Sequence, residues 1–138
     1  MIIIQKKDFN LEKEINKIKS NYLNVGAVSN FVGYVKDLNN NRKVNYIVLD
    51  VYKDMAYSSL EKICHKAKKK WDILDILIIH RFGKLNINEK IVLVATFSIH
   101  RKASFESCNY IMNYLKKDAP FWKKENYINE SEWLANTN

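Results

Sequence analysis

Apolar positions along the chain recur with two periods, and the switches between them predict a layered fold of strands and helices. "MIIIQ" (1–5) reads as a short first strand. Asp8 or Asn10 can cap a helix that runs to about Lys19 with Leu11, Ile15 and Ile18 on one face. "NVGAVSNFVGYV" (24–35) alternates small and apolar residues and predicts a strand, its glycines allowing a bulge or a close backbone approach. "KDLNNNRK" (36–43) is expected to be a polar loop, and "VNYIVLDVY" (44–52) the returning strand. Ala56, Leu60, Ile63, Cys64, Ala67 and Trp71 then mark a core-facing helix, with Asp54 as its expected cap. "ILDILIIHRFG" (73–83) and "KIVLVATFSIH" (90–100) have continuous apolar centres, so each is expected to be a strand buried on both faces, with "KLNINE" linking the two. A third helix is predicted from near Ser104 to just before Pro120. Strands grouped between helices and joined by hairpin-length links point to an α+β fold, not a doubly wound sheet. With no repeat, low-complexity tract or long linker, residues 1–138 are expected to form one domain.

Charge narrows the field of partners. The chain carries 23 Lys and Arg against 15 Asp and Glu, a formal charge of +8. That balance fits a nucleic acid, a membrane surface or a phosphorylated small molecule, and equally a simple abundance of lysine. The lysines are spread over all three predicted helices and no nucleic-acid motif accompanies them, which disfavours a basic nucleic-acid-binding module. "KAKKK" (66–70) and His65 are expected to be solvated. No apolar run approaches the roughly 20 residues that span a bilayer. "MIIIQKK" is too short for a signal peptide and carries its charges on the wrong side, so a cytoplasmic location without membrane contact is expected. Cys64 and Cys108 sit on apolar helix stripes in no metal-like spacing and are expected to be buried structural thiols. No metal site is expected.

Two short stretches carry candidate chemistry. In "YLKKDAPFWKKEN" (114–126), lysines interleave with a Pro-Phe-Trp step where the helix must stop. On a helical wheel, Phe105, Cys108, Ile111, Met112 and Leu115 form one apolar stripe. Lys116 falls roughly 75° from its centre and Lys117 almost opposite. Lys116 therefore lies at the edge of the core, and a chain turning back through Phe121 and Trp122 can bring Lys123 near it. Two ammonium groups over an aromatic floor could hold an anion or a developing oxyanion; the alternative is a lysine snorkelling at a helix C-terminus. In "SIHRKASFES" (98–107), a strand runs into a helix N-terminus at His100 and Arg101, a setting suited to an anion or, equally, to a satisfied structural histidine. His80-Arg81 leads into Gly83 and a hairpin, and is expected to be structural.

These stretches resemble one family. "HRFGKL" (80–85), "SIHRKASFES" (98–107) and above all "YLKKDAPFWKKE" (114–125) are similar to the large, catalytic subunit of molybdopterin synthase. "GAVSNFVGYVKD" (26–37) and "LDVYKDMA" (49–56) follow in the family's order, and the resemblance runs from about Gly26 to Trp133. It implies an α+β hammerhead-type fold with mixed and antiparallel sheets and about three main helices. It also implies a homodimer within a heterotetramer, each protomer binding a small ubiquitin-like sulfur-carrier subunit. The carrier's Gly-Gly tail ends in a thiocarboxylate, from which two sulfurs pass to cyclic pyranopterin monophosphate to form the molybdopterin dithiolene, with no metal or organic cofactor. Lys116 and Lys123 match the family's catalytic residues. Tyr34, Val35, Lys36, His100, Arg101, Lys124 and Glu125, together with both lysines, match its substrate-binding positions, in a pocket drawn from two protomers. A member that binds the carrier without turnover is the alternative. Lys36 stands where the family usually has arginine, Lys84 where an acidic residue is common, Asn88 at a usual glycine turn position, and Asp50 for a common glutamate.

Overall fold

The computed structural model describes residues 1–129, so Trp133 lies outside the described residues. Its elements are β1 (Ile2–Gln5), α1 (Leu11–Lys19), β2 (Ala27–Tyr34), β3 (Leu38–Asn39), β4 (Arg42–Val51), α2 (Lys53–Lys70), β5 (Asp75–Arg81), β6 (Gly83–Asn86), β7 (Lys90–Ser98), α3 (Arg101–Lys117) and β8 (Phe121–Tyr127). Three helices with mixed and antiparallel sheets make this the expected α+β architecture. Among the described residues no helix is long and apolar enough to cross a membrane.

The first sheet has the order β1-β5-β7-β2, with β1 parallel to β5 and β7 antiparallel to both its neighbours. Side chains alternate across a strand, so β5 and β7 feed two cores at once. Ile76, Ile78, Val92 and Val94 pack with Leu60, Ile63 and Ala67 of α2 and Cys108 and Ile111 of α3. Leu77, Ile79, Leu93, Ala95 and Phe97 pack on the other face, against Phe9 and Ile18. Ile76 to Ile79 are at most 1% exposed, each burial contributing about 1.5–3 kcal/mol relative to an exposed side chain. This two-sided burial is why both strands read as unbroken apolar runs.

Local chemistry sets the element ends. Asn10, not Asp8, caps α1, its Oδ1 accepting the Lys13 N–H at 2.9 Å. Helix α2 starts earlier than Asp54 would place it: Tyr52 occupies the cap without a side-chain bond, and Asp54 sits in the first turn, where the helix dipole favours its charge. Gly26 is needed at the entry to β2, because a Cβ there would lie 2.1 Å from the Ile99 carbonyl oxygen.

The second sheet is built on β4, which pairs antiparallel with β3, β6 and β8. Two expectations are corrected here. Residues 36–43 are not a plain loop: β3 and β4 form a tight hairpin whose two-residue turn is Asn40-Asn41, at φ 50° and 61°. Positive φ at both positions matches the right-handed strand twist, and asparagine tolerates it. The β5–β7 link is also more than a connection, since Gly83, at φ 88°, lets the chain leave the first sheet and run as β6 beside β4. Asn88 takes the left-handed conformation expected of a glycine position, at φ 70°. A third core of Val35, Val44, Ile47, Leu49 and Leu85 joins this sheet to the first.

His80 fastens the layers together. It is buried, its ring stacks on Phe121 with centroids 3.7 Å apart, and its Nδ1 bonds the Arg81 carbonyl at 2.8 Å. Arg81, also buried, bonds the carbonyls of Lys6 and Lys90 and pairs with Glu89. His80-Arg81 is thus structural. Burial holds the His80 pKa down to about 4, so the ring is neutral in the folded state. An unfolded histidine takes up its proton near pH 6.5. The stability tied to this neutral ring is therefore complete above pH 6.5 and is lost as the pH falls from 6.5 toward 4, by roughly 3 kcal/mol in all. Urea unfolding at intervals across that window should show the loss in the wild type, and His80→Gln should flatten it.

Candidate active site

Tyr34, Val35 and Lys36 leave the end of β2 beside the third core. Val35 is fixed there by its backbone, donating to the Glu89 carbonyl at 2.9 Å and accepting from the Asn88 N–H at 2.8 Å. With Val35 locked in the core at 2% exposure, Tyr34 and Lys36 on either side are held at the surface. Strand β8 lies across from them. Its register places Lys123 opposite Leu49 and Glu125 opposite Ile47, so both share the core-facing side of β4, while Lys124, opposite Val48, is exposed.

These residues enclose a cavity of about 90 Å³ lined by Tyr34, Val35, Lys36, Asn39, Lys123 and Glu125, with Val44, Ile47 and Ile91 behind. Five of the expected substrate-binding positions therefore meet. Small-molecule pockets usually enclose about 300–1,000 Å³, so this cavity is smaller than a typical ligand site.

Glu125 organises the corner. Its Oε1 accepts from Asn39 Nδ2 at 2.7 Å and pairs with Lys123 Nζ at 3.0 Å. Its Oε2 is buried and meets no donor at hydrogen-bonding geometry. The nearby Tyr127 hydroxyl, then Asn39 and Lys123, hold the carboxyl down to about 2 against the opposing effect of burial. Lys123 itself is half exposed, with an anion on one side and open space on the other.

Lys116 lies elsewhere on the protomer. It is exposed, and it lines an open groove of about 400 Å³ between β2 and α3 with Asn30, Phe31, Phe105, Met112 and Asn113. The expected meeting of Lys116 with Lys123 thus does not occur in one cavity of one chain. The groove and the cavity nevertheless border the same strand, since Phe31 and Tyr34 are separated by about 10 Å of β2. Two apolar expectations also change. Phe105 is 65% exposed and faces the groove, and Trp122 is 57% exposed, because strand alternation turns Phe121 inward onto His80 and Trp122 outward.

His100 and Arg101 are exposed at the start of α3, which begins at Arg101 and not near Ser104. His100 is the cap residue, in extended conformation, and makes no side-chain capping bond. The turn is held from beneath: Ser98 Oγ donates to the His100 carbonyl at 2.5 Å, and Thr96 Oγ1 to the Ser104 carbonyl at 2.7 Å. Both thiols are shielded, Cys108 buried and Cys64 half-buried, and burial pushes each up to about 11. Neither is poised as a nucleophile. Among the described residues no cluster of three metal-capable side chains forms.

The fold and the cavities together define a class: an α+β protein that sets lysines beside apolar cavity walls. Comparison with known proteins gives the family. The description "MoaE protein" matches residues 4–118. Molybdopterin synthase catalytic subunits from Ralstonia nicotianae and Pseudomonas aeruginosa are each 41% identical over 133 residues, spanning 96% of this chain and 76% and 89% of theirs. Among solved structures, the molybdopterin biosynthesis MoaE protein from Burkholderia ambifaria superposes with a TM-score of 0.83 at 35% identity, over 100% of this chain and 98% of that one. Molybdopterin synthase from Staphylococcus aureus gives 0.83 at 29% identity, over 92% and 91%. The chain belongs to the MoaE family, and with it to the sulfur-transferring enzymes of molybdenum cofactor biosynthesis.

Sequence reading missed Asn39. It sits in a run of three asparagines that looks like loop, and its partner is 86 positions away. Nothing in the local sequence marks it.

Glu125's depressed pKa has a direct consequence. The stability contributed by its carboxylate is complete above about pH 4.5 and is lost as the pH falls from there toward 2. Carboxyl carbon NMR should show Glu125 ionised at pH 3, where exposed glutamates are already protonated.

Proposed function

We propose that this chain is the catalytic subunit of a molybdopterin synthase, working as one domain over residues 1–138. It takes sulfur from the C-terminal thiocarboxylate of a small ubiquitin-like carrier and delivers it to cyclic pyranopterin monophosphate. The observation that carries the reading is the corner formed by Lys36, Lys123 and Glu125, which sets two cations beside a fixed carboxylate. Cations suit the phosphate of the substrate and the anionic end of the tail.

In each transfer the thiocarboxylate sulfur bonds a substrate carbon that gives up an oxygen substituent, and water then cleaves the resulting thioester between acyl carbon and sulfur, leaving the sulfur on the substrate and the carrier tail as a carboxylate. Negative charge develops on the carrier carbonyl oxygen along the way, and an ammonium group held nearby lowers that barrier. We assign Lys116 to the thiocarboxylate end and proton transfer, and Lys123 to substrate anchoring and acid–base help. His100 and Arg101 hold the anionic substrate from a helix start, and Lys124 and Tyr34 border the pocket. Because sulfur arrives on the partner, the shielded thiols of Cys64 and Cys108 need not react.

The small size of the corner and the placement of Lys116 in a separate groove support a pocket completed by a second protomer, in a homodimer within a heterotetramer. A Helicobacter pylori protein of the same fold, at a TM-score of 0.77 and 23% identity, was solved as a complex of subunits 1 and 2 of molybdopterin-converting factor. That likeness is one of fold; the partner assignment for this chain rests on the family resemblance of its lysine block. We place the protein in the cytoplasm.

A single-turnover assay with thiocarboxylated carrier and cyclic pyranopterin monophosphate tests the reading. Wild type should form the dithiolene, and Lys116→Ala and Lys123→Ala should each lose about 10²–10³-fold in rate while remaining folded. Carrier binding without product from wild type would instead identify a non-catalytic binder. Lys36→Arg should lower the KM for the phosphorylated substrate severalfold, since a guanidinium fork replaces a point charge.

A further inference from the structure

Lys123 reaches the cavity on a flexible four-carbon stem, and such a stem samples many rotamers unless something fixes its end. The carboxylate that holds it, Glu125, is itself a flexible side chain. Its Oε1 is fixed from the far side by Asn39 Nδ2 at 2.7 Å, slightly shorter than the 3.0 Å contact with Lys123 on the near side. Both acceptor positions of that oxygen are thereby used, one by an amide and one by the ammonium.

Asn39 can do this because of the turn that follows it. The two left-handed asparagines, Asn40 and Asn41, close the hairpin in two residues and set Asn39 directly opposite Arg42. Other ties join the hairpin strand to β8, among them Arg42 over the Tyr127 ring at 3.7 Å and Asn45 to Asn126 at 3.3 Å. Those two ties fasten strand to strand. Of these three side-chain ties, the Asn39 tie ends on a residue bonded to Lys123.

We propose that Asn39 is a positioning residue, which locks the Glu125 carboxylate and through it holds the Lys123 ammonium over the cavity. The proposal rests on the reading of Lys123 as a site residue. It gives the β3–β4 hairpin a specific task in sulfur transfer: it sets where the second lysine points.

Two substitutions separate positioning from simple structural support. Asn39→Leu keeps the size of the side chain and removes the donor. Asn39→His restores a donor, its ring Nδ1–H standing where the amide nitrogen was. Both are compared with wild type, Lys123→Ala and the hairpin control Asn41→Gly. The readouts are thermal melting, kcat and KM for cyclic pyranopterin monophosphate with carrier in excess, and trace acetylation of Lys123 relative to Lys117 by mass spectrometry. Asn39→Leu should lower kcat about tenfold, the scale of one hydrogen bond to a charged group, and raise KM severalfold as the anchoring ammonium loses its place, with little change in melting. It should also raise the relative acetylation of Lys123 severalfold. Asn39→His should recover most of both, and Asn41→Gly should match wild type. Wild-type kcat and labelling in Asn39→Leu, or a histidine variant as impaired as the leucine one, would overturn the proposal. If Lys123→Ala itself turns over normally, the failure belongs to the reading of Lys123; if Lys123→Ala is inactive and Asn39→Leu is normal, only the role of Asn39 falls.

Discussion

The structure depends on two strands that bury side chains in both directions. β5 and β7 place alternate residues against α1 on one face and α2 with α3 on the other, and their central residues are almost wholly excluded from solvent. Remove that double burial and neither helical layer has a surface to rest on. It also determines where chemistry can occur. A sheet covered on both faces leaves its edge and its strand ends as the places where polar groups can reach water. β2 is such an edge. The groove holding Lys116 lies along it, and Tyr34-Val35-Lys36 prolongs it into the second cavity.

The second sheet turns that edge into a site. β4 carries β8 on its ladder, and β8 delivers Lys123 and Glu125 to the side where Val35 and Ile47 form the floor. His80 stacked on Phe121 sets where β8 begins, and Arg81 with Glu89 holds the turn that pins Val35. The structural pair His80-Arg81 thus supports both walls of the cavity without facing it. Glu125 stands at the centre as a carboxylate that stays ionised far into acid, which keeps a fixed negative charge beside Lys123. Cations meant for anionic ligands gain from such a partner: it orients the ammonium, and the remaining donors of that group stay directed at the open side.

The two lysines of the C-terminal block illustrate how a helix and a strand divide one motif. Lys116 lies in the last turn of α3 and follows its helical face into the groove with Phe105 and Met112. Lys123, seven positions later, follows strand alternation into the cavity. Pro120 lies between the two geometries. A motif that reads as one basic cluster therefore supplies two separate surfaces of the protomer, a division suited to a pocket assembled from more than one chain.

Much of the fold was legible in the residues. The 3.6-residue period of α2 and α3, the unbroken apolar runs of β5 and β7, and the stop at Pro120 are local signals, and local sterics and burial decide them. Lys123 and Glu125 were singled out from the lysine block ending "APFWKKE", and Tyr34 and Lys36 from a second stretch that resembles the same family. Tertiary structure alone decided the rest. Only folding could show that "KLNINE" contains a strand of another sheet, because the alternation of β6 is satisfied by a partner nearly forty positions away. Only folding could turn three asparagines from an apparent loop into a tight hairpin whose first member bonds Glu125. Sequence fixes which side chains exist and which faces they take along their own element; which faces meet depends on long-range pairing, and that is set by the summed burial of the whole chain.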